Sequence, residues 1–196
     1  MDFKFYLDRL QGILSNKRFE HSFNTSNIAV KLAEMYCADR EKAGIAGLLH
    51  DCARDYGAKE LLAMAENHNL PIDDIEQEMP VLLHAKLGAA LAKQEFGVDD
   101  AQVLKAIALH TLGEPEMGLL AKIVYVADKI EPGRRFTGVE SLRKTAFEDL
   151  DRAVLQSLDM TIELSIQSAE PIHPGAVATR NWLLRKIKLP VKTAEI

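Results

Sequence analysis

Apolar residues recur at steps of three and four along most of this chain, as in Ile28, Leu32 and Tyr36, in Leu82, Ala85, Ala89 and Ala92, and in Phe147, Leu150, Val154, Leu158, Ile162 and Ile166. That period lays them on one stripe of an α-helix. A half-buried strand needs strict alternation, and no stretch sustains it between tight turns. Gly57, Pro71, Pro80, Gly97, Gly113, Pro115, Pro132 and Gly133 divide the pattern into units of roughly ten to twenty residues, the length of globular helices. Asp39 reads as the N-cap of the segment ending in His50, and Asp99 or Asp100 as the cap of the segment ending in His110. The expected fold class is all-α, with one domain over residues 1–196, because no Gly/Ser- or Pro-rich stretch marks a linker.

Two segments stand out. Gly44 and Gly47 lie inside the helical run that reaches His50 and Asp51, where each glycine costs about 1 kcal/mol against alanine. A close helix crossing would account for them. The run from about 144 to 170 is the longest periodic stretch, contains no histidine and reads as scaffold. If unbroken it would be about 40 Å long at 1.5 Å per residue.

A formal charge of -5 argues against broad nucleic-acid binding, which needs a basic face to displace counterions, yet leaves a small phosphorylated ligand open. There is no apolar run near the roughly 18 residues of a membrane span. The charged N-terminal stretch lacks the apolar centre of a signal peptide, so a cytoplasmic location is expected. Cys37 and Cys52 have no CxxC spacing, and both read as reduced thiols with packing roles. A homodimer is expected on the habits of soluble enzymes.

Histidines and aspartates supply the chemistry: His21, the pair His50-Asp51, His84, His110 and Asp128, each in or at the end of a helical segment. One His-Asp pair means little in a chain with six histidines. Neighbours on a helix point about 100° apart, so His50 and Asp51 share an ion only in the seam between them, with His21 and Asp128 closing the far side. Nitrogen and oxygen donors without thiolate suit a divalent first-row metal, iron, manganese, cobalt or zinc. Such an ion lowers the pKa of bound water and polarises a phosphoryl oxygen. Asp51 would orient the attacking water or bridge to a second metal. His84 and His110, near helix ends, would hold that second ion or donate to phosphate oxygens. The bland alternative for each histidine alone is a satisfied core or surface residue; His68, among Glu66, Asn67 and Asn69, is set aside on that ground.

The contexts Arg18-Phe19-Glu20-His21-Ser22, Leu48-Leu49-His50-Asp51, His84-Ala85-Lys86-Leu87-Gly88, His110-Thr111 and Ala127-Asp128-Lys129-Ile130-Glu131-Pro132 together resemble the HD-domain metal-dependent phosphohydrolases. The similarity is closer to their YqeK-type branch, the bacterial symmetrical bis(5'-nucleosyl)-tetraphosphatases. Ile172-His173-Pro174-Gly175 with Arg180-Asn181 resembles that branch's C-terminal signature, and the likeness runs from about residue 16 to 185. The resemblance implies an HD-domain helical bundle and iron or a similar metal on His21, His50, Asp51 and Asp128. It also implies cleavage of diadenosine tetraphosphate into two ADP, which we read as proceeding through a metal-bound hydroxide. His84 and His110 would join Asp51 in catalysis or face the phosphates with Thr111. Leu112 and Cys52 depart from the family's pattern, which touches pocket shape more than reaction type.

Phosphate clamps are expected among Arg18, Arg54, Lys129 and Arg134, with Arg54 favoured because it follows Asp51 by three residues. Lys86 is a weaker candidate. His173 is expected at the nucleotide, and Asn181 as a structural hydrogen-bonding partner. Two competing readings share the ligand set: another HD phosphohydrolase acting on a nucleoside monophosphate, a deoxynucleoside triphosphate or a guanosine alarmone, and a non-catalytic nucleotide sensor.

Overall fold

A computed structural model describes residues 3–187 as a helical assembly with no strand among them. Residues 1–2 and 188–196, included in the single domain expected from sequence, lie outside the described residues. The helices are α1 (Phe3–Ile13), α2 (Asn16–Met35), α3 (Arg40–Leu49), α4 (Ala58–Asn67), α5 (Asp74–Glu78), α6 (Leu83–Phe96), α7 (Ala101–Leu109), α8 (Leu119–Ile130), α9 (Val139–Ala146), α10 (Leu150–Gln167) and α11 (Pro174–Ile187). A 3-10 turn, Pro80–Leu82, leads into α6.

Helix α8 is the axis of the core. Nine of its twelve residues are buried, so it has almost no solvent face, and α2, α3, α7, α9 and α10 pack around it. A helix buried on nearly every side carries a polar residue inward only where that residue is paired or used. Asp128 is such a residue.

Caps set the helix starts. Asp39 accepts from the Lys42 amide, and Asp100, rather than Asp99, accepts from the amides of Gln102 and Val103. Ser15 does the same for α2 through the Arg18 amide. The long run expected over 144–170 is broken: α9 ends at Ala146, and Asp149 caps α10 through the Arg152 amide. A cap that satisfies an otherwise orphaned N–H starts a new helix more favourably than the apolar period alone can carry the old one through.

The paired glycines let α2 and α3 cross closely. A Cβ on Gly47 would sit 2.9 Å from the Ser26 Cα and 3.1 Å from the Ala29 Cβ, while one on Gly44 would meet the Val30 Cγ2 at 3.2 Å. Across the same seam the Ser26 hydroxyl donates to the Gly44 carbonyl at 2.8 Å. This contact brings the start of α2, with His21, against the end of α3. At the other end of the chain, Thr179 of α11 donates to the Leu112 carbonyl and packs on Gly113, backing the turn that follows His110.

Candidate metal centre

His50 is the residue that ends α3, and Asp51 lies in the following turn, in which the Cys52 amide bonds to the Leu49 carbonyl and the Arg54 amide to that of Asp51. The pair therefore sits at a helix terminus, the Asp39-capped segment ending at His50 as expected from sequence. His110 likewise ends α7, and His84 falls in the first turn of α6. His21 is inside α2 and Asp128 inside α8.

These six side chains converge. The Nε2 atoms of His21 and His50 lie 3.2 Å apart, and those of His84 and His110 3.0 Å apart. Asp51 stands between the two pairs. Its Oδ2 is 3.5 Å from both His21 and His50, and its Oδ1 is 3.2 Å from His84 and 3.5 Å from His110. Asp128 closes the first pair, with Oδ1 at 3.0 Å from His21 and 3.7 Å from His50.

Every ring is held the same way round. Nδ1 of His50 faces the Gly47 carbonyl at 2.8 Å, Nδ1 of His110 faces that of Ile107 at 2.7 Å, and Nδ1 of His84 makes a short contact with that of Val81. Nδ1 of His21 faces Glu131 Oε1 at 3.3 Å. With each Nδ1 engaged outward, each Nε2 faces the centre, where it donates to a cage carboxylate or, once that proton is displaced, offers its lone pair to an ion. Two groups, His21-His50-Asp51 and Asp51-His84-His110, thus present nitrogen and oxygen donors suited to one ion apiece.

The electrostatics are those of a buried anionic cage. Burial alone would raise the Asp51 carboxyl, but the charge of His50 and hydrogen bonding with His110 and His84 hold it well below the usual range. Asp128 is also held well below that range: Lys129, His21, His50 and Arg134 outweigh its burial. Burial works against the His50 imidazolium, and the two carboxylates overcome it and raise its pKa. Burial pushes His110 down to about 4, against its hydrogen bonding to Asp51, with repulsion from His50 and His84 adding to the effect. The His110 ring therefore stays neutral and able to act as a ligand.

Basic residues line one side of this centre. Arg18 Nη1 bonds Asp51 Oδ2 at 2.6 Å, Lys129 Nζ bonds Asp128 Oδ2 at 2.8 Å, and Arg134 makes a short contact with Asp128 Oδ1 while its Nε bonds the Asp128 carbonyl at 2.8 Å. Three of the four expected clamps are thus at the cluster. The side chain of Arg54, half-buried in the turn after Asp51, is not among those paired with the cage carboxylates, and Thr111 is half-buried beside His110. Lys86 is drawn elsewhere, to Glu76 Oε1 at 2.6 Å and the Pro71 carbonyl.

His173 is not brought to the cluster. Its Nε2 meets Asp73 Oδ2 at 2.8 Å and its Nδ1 accepts from the Gly175 amide at 2.9 Å, so both ring nitrogens are engaged in fastening the start of α11 to α5. Arg180 pairs with Asp159 of α10, and Asn181 is exposed. His68, set aside for its polar neighbours as a solvated-loop histidine, instead ends α4 and is half-buried. Sequence reasoning missed Glu131, buried beneath His21; its one signal was an acidic residue three positions after Asp128, placed on the same side of α8.

Comparison with known proteins gives a consistent picture. The model of the HD domain matches residues 18–133, more than half of the chain. A protein of Bacillus subtilis (strain 168) named symmetrical bis(5'-nucleosyl)-tetraphosphatase is 39% identical over 171 residues, 87% of this chain and 91% of the relative. One of Staphylococcus aureus (strain NCTC 8325 / PS 47) with the same name is 31% identical over 86% of this chain and 88% of its own length. A crystal structure described as a predicted HD superfamily hydrolase involved in NAD metabolism, from Clostridium acetobutylicum, superposes with a TM-score of 0.92 at 42% identity, covering 95% of this chain and 98% of that one.

Proposed function

This chain belongs to the HD-domain family, and from that premise we propose that it is a metal-dependent bis(5'-nucleosyl)-tetraphosphatase cleaving diadenosine tetraphosphate symmetrically into two ADP. Two relatives named for that activity, similar over most of their length and of this chain, support the substrate. The observation that carries the reading is the position of Asp51, one oxygen facing each imidazole pair. Such an arrangement would suit two divalent ions, one held by His21, His50, Asp51 and Asp128 and the other by Asp51, His84 and His110. The donors suit a divalent first-row metal, iron, manganese, cobalt or zinc, and the resemblance to the family favours iron among them. When bound, a divalent ion brings coordinated water toward neutral pKa and polarises a phosphoryl oxygen.

The chain's own residues do the rest. The reaction adds one water across the central anhydride: a P–O bond forms to one inner phosphorus, the bridging P–O bond breaks, and ADP leaves on each side. Arg18, Lys129 and Arg134 stand within reach of the cage carboxylates and serve as clamps for the phosphate oxygens, with half-buried Arg54 and Thr111 at the margin. A cationic side on a chain of net charge -5 concentrates a polyanionic small molecule there without favouring nucleic acid.

Chromatography of products tests the reading. Protein loaded with Fe(II) or Mn(II) should yield ADP alone from diadenosine tetraphosphate, and in ¹⁸O-labelled water half of the ADP should carry the label. Equal ATP and AMP would exclude the symmetrical mode. Turnover confined to a nucleoside monophosphate, a deoxynucleoside triphosphate or a guanosine alarmone would reassign the substrate, and binding without turnover would make the protein a sensor.

A further inference from the structure

We propose that Glu131 is a positioning residue for the metal centre, fixing the orientation and tautomer of His21 so that its Nε2 is the ligating atom. The inference rests on the metal reading above and adds to it a residue outside the ligand set. It begins from a difference among the four rings. His50 and His110 sit at helix ends, where the closing turn leaves carbonyls open to a further donor, so each Nδ1 meets a carbonyl three residues back. His84 uses the Val81 carbonyl in the 3-10 turn before α6. His21 is the sixth residue of α2, where the preceding carbonyls already accept from the helix itself. Its orientation must come from another element.

Glu131 supplies it. The backbone leaves α8 at this residue, with φ -55° and ψ 155°, and the side chain turns back to place Oε1 3.3 Å from His21 Nδ1. Only 3% of the residue is exposed, so its carboxylate is held by protein and not by water. The Gly133 amide donates to Oε2 at 2.5 Å. Arg143 fixes the backbone around it, donating to the carbonyls of Ile130, Glu131 and Arg134. Glycine at 133 is required by this packing, since a Cβ there would lie 2.8 Å from Oε1 and 3.0 Å from Oε2. A carboxylate so constrained, against the far nitrogen of a ring whose near nitrogen faces the centre, both selects the tautomer and strengthens the ring as a donor.

The test uses the full-length protein stripped of metal and titrated with Co(II) against a chromophoric chelator. Glu131→Gln should bind Co(II) about 10–100-fold more weakly than wild type. Glu140→Gln, which removes an exposed carboxylate that pairs with Arg143, should bind as wild type does. Long-range ¹H–¹⁵N spectra of the Zn(II)-loaded proteins supply a readout that general destabilisation would not move: the His21 Nδ1–H resonance should be shifted downfield by its hydrogen bond to Glu131 in wild type and should move upfield in Glu131→Gln. If that variant fails to fold, Gly133→Ala, which displaces the carboxylate without removing it, carries the same two expectations. Co(II) affinity within twofold of wild type, or weaker affinity with an unchanged His21 Nδ1–H resonance, overturns the inference. Failure of the wild-type protein to bind Co(II) would instead overturn the metal reading.

Discussion

Asp51 faces two imidazole pairs with its two oxygens, which makes it the side chain whose alteration should disturb both halves of the centre together. Asp51→Asn keeps the shape and removes the charge. It should reduce bound metal and cut turnover of diadenosine tetraphosphate by more than the roughly 10–100-fold that an outer-shell change costs, as read by elemental analysis and initial rates. His84→Ala should be milder in metal content, with loss confined to one of two ions, because the His21, His50 and Asp128 donors remain. Cys52, next in sequence to Asp51, is no competitor for the ion: burial pushes its thiol up to about 12, and its Sγ is turned to the Gly88 carbonyl.

Between elements, the contact that matters most is the crossing of α2 and α3, because it sets the separation of His21 and His50. Gly47→Ala would gain roughly 1 kcal/mol of helix propensity and lose about 1–3 kcal/mol to a Cβ pressed 2.9 Å from the Ser26 Cα. We expect a lower melting temperature and weaker metal binding. Gly12→Ala in α1, where nothing lies within 4 Å of a new Cβ, should stabilise by about 0.4–1 kcal/mol in the same thermal melt and leave metal binding unchanged. This crossing was legible in the sequence, because two glycines inside a helical run weaken the helix unless a neighbouring backbone needs the room. The cap Asp39, and Asp100 as one of two adjacent candidates, were legible for a similar reason, each being a local pattern with a local cause, whereas the six cage residues were read as a set from their resemblance to the HD-domain family. The break between α9 and α10 was not, since the apolar period continues across it and only the Asp149 cap opposes it. Nor was the fate of His173, whose partner Asp73 lies 100 residues away in the chain. Glu131 escaped because its role depends on α8 ending beside the middle of α2, a matter of packing and not of spacing.

Across the molecule, Asp151 joins three helices at once: its carboxylate meets Lys122 of α8 at 2.5 Å and Lys186 of α11 at 2.6 Å, from the first turn of α10. Burial would raise its pKa, but the hydrogen bonds from the two lysines outweigh that and lower it. A folded-state value below the unfolded one near 3.9 means the stabilisation is complete above about pH 5 and is lost as pH falls through the folded value. The stability gap between wild type and Asp151→Asn should therefore be about 1–3 kcal/mol at pH 7 in urea titrations and should shrink below about pH 4. Metal acts on the same scale, since its donors come from α2, the α3 terminus, α6, α7 and α8. At 100 times its dissociation constant, an ion bound to the folded form alone adds about 2.7 kcal/mol, so stripping it with a chelator should lower the melting temperature by roughly 5–10 °C.

The donors also run the length of the gene's reading order, from His21 to Asp128. During translation, His21, His50 and Asp51 emerge from the ribosome well before the helix that carries Asp128, and that helix is the axis on which the others assemble. On the proposed metal reading, capture of an ion by the full donor set would wait for that helix, and a chain cut short by a premature stop before it has no finished cage.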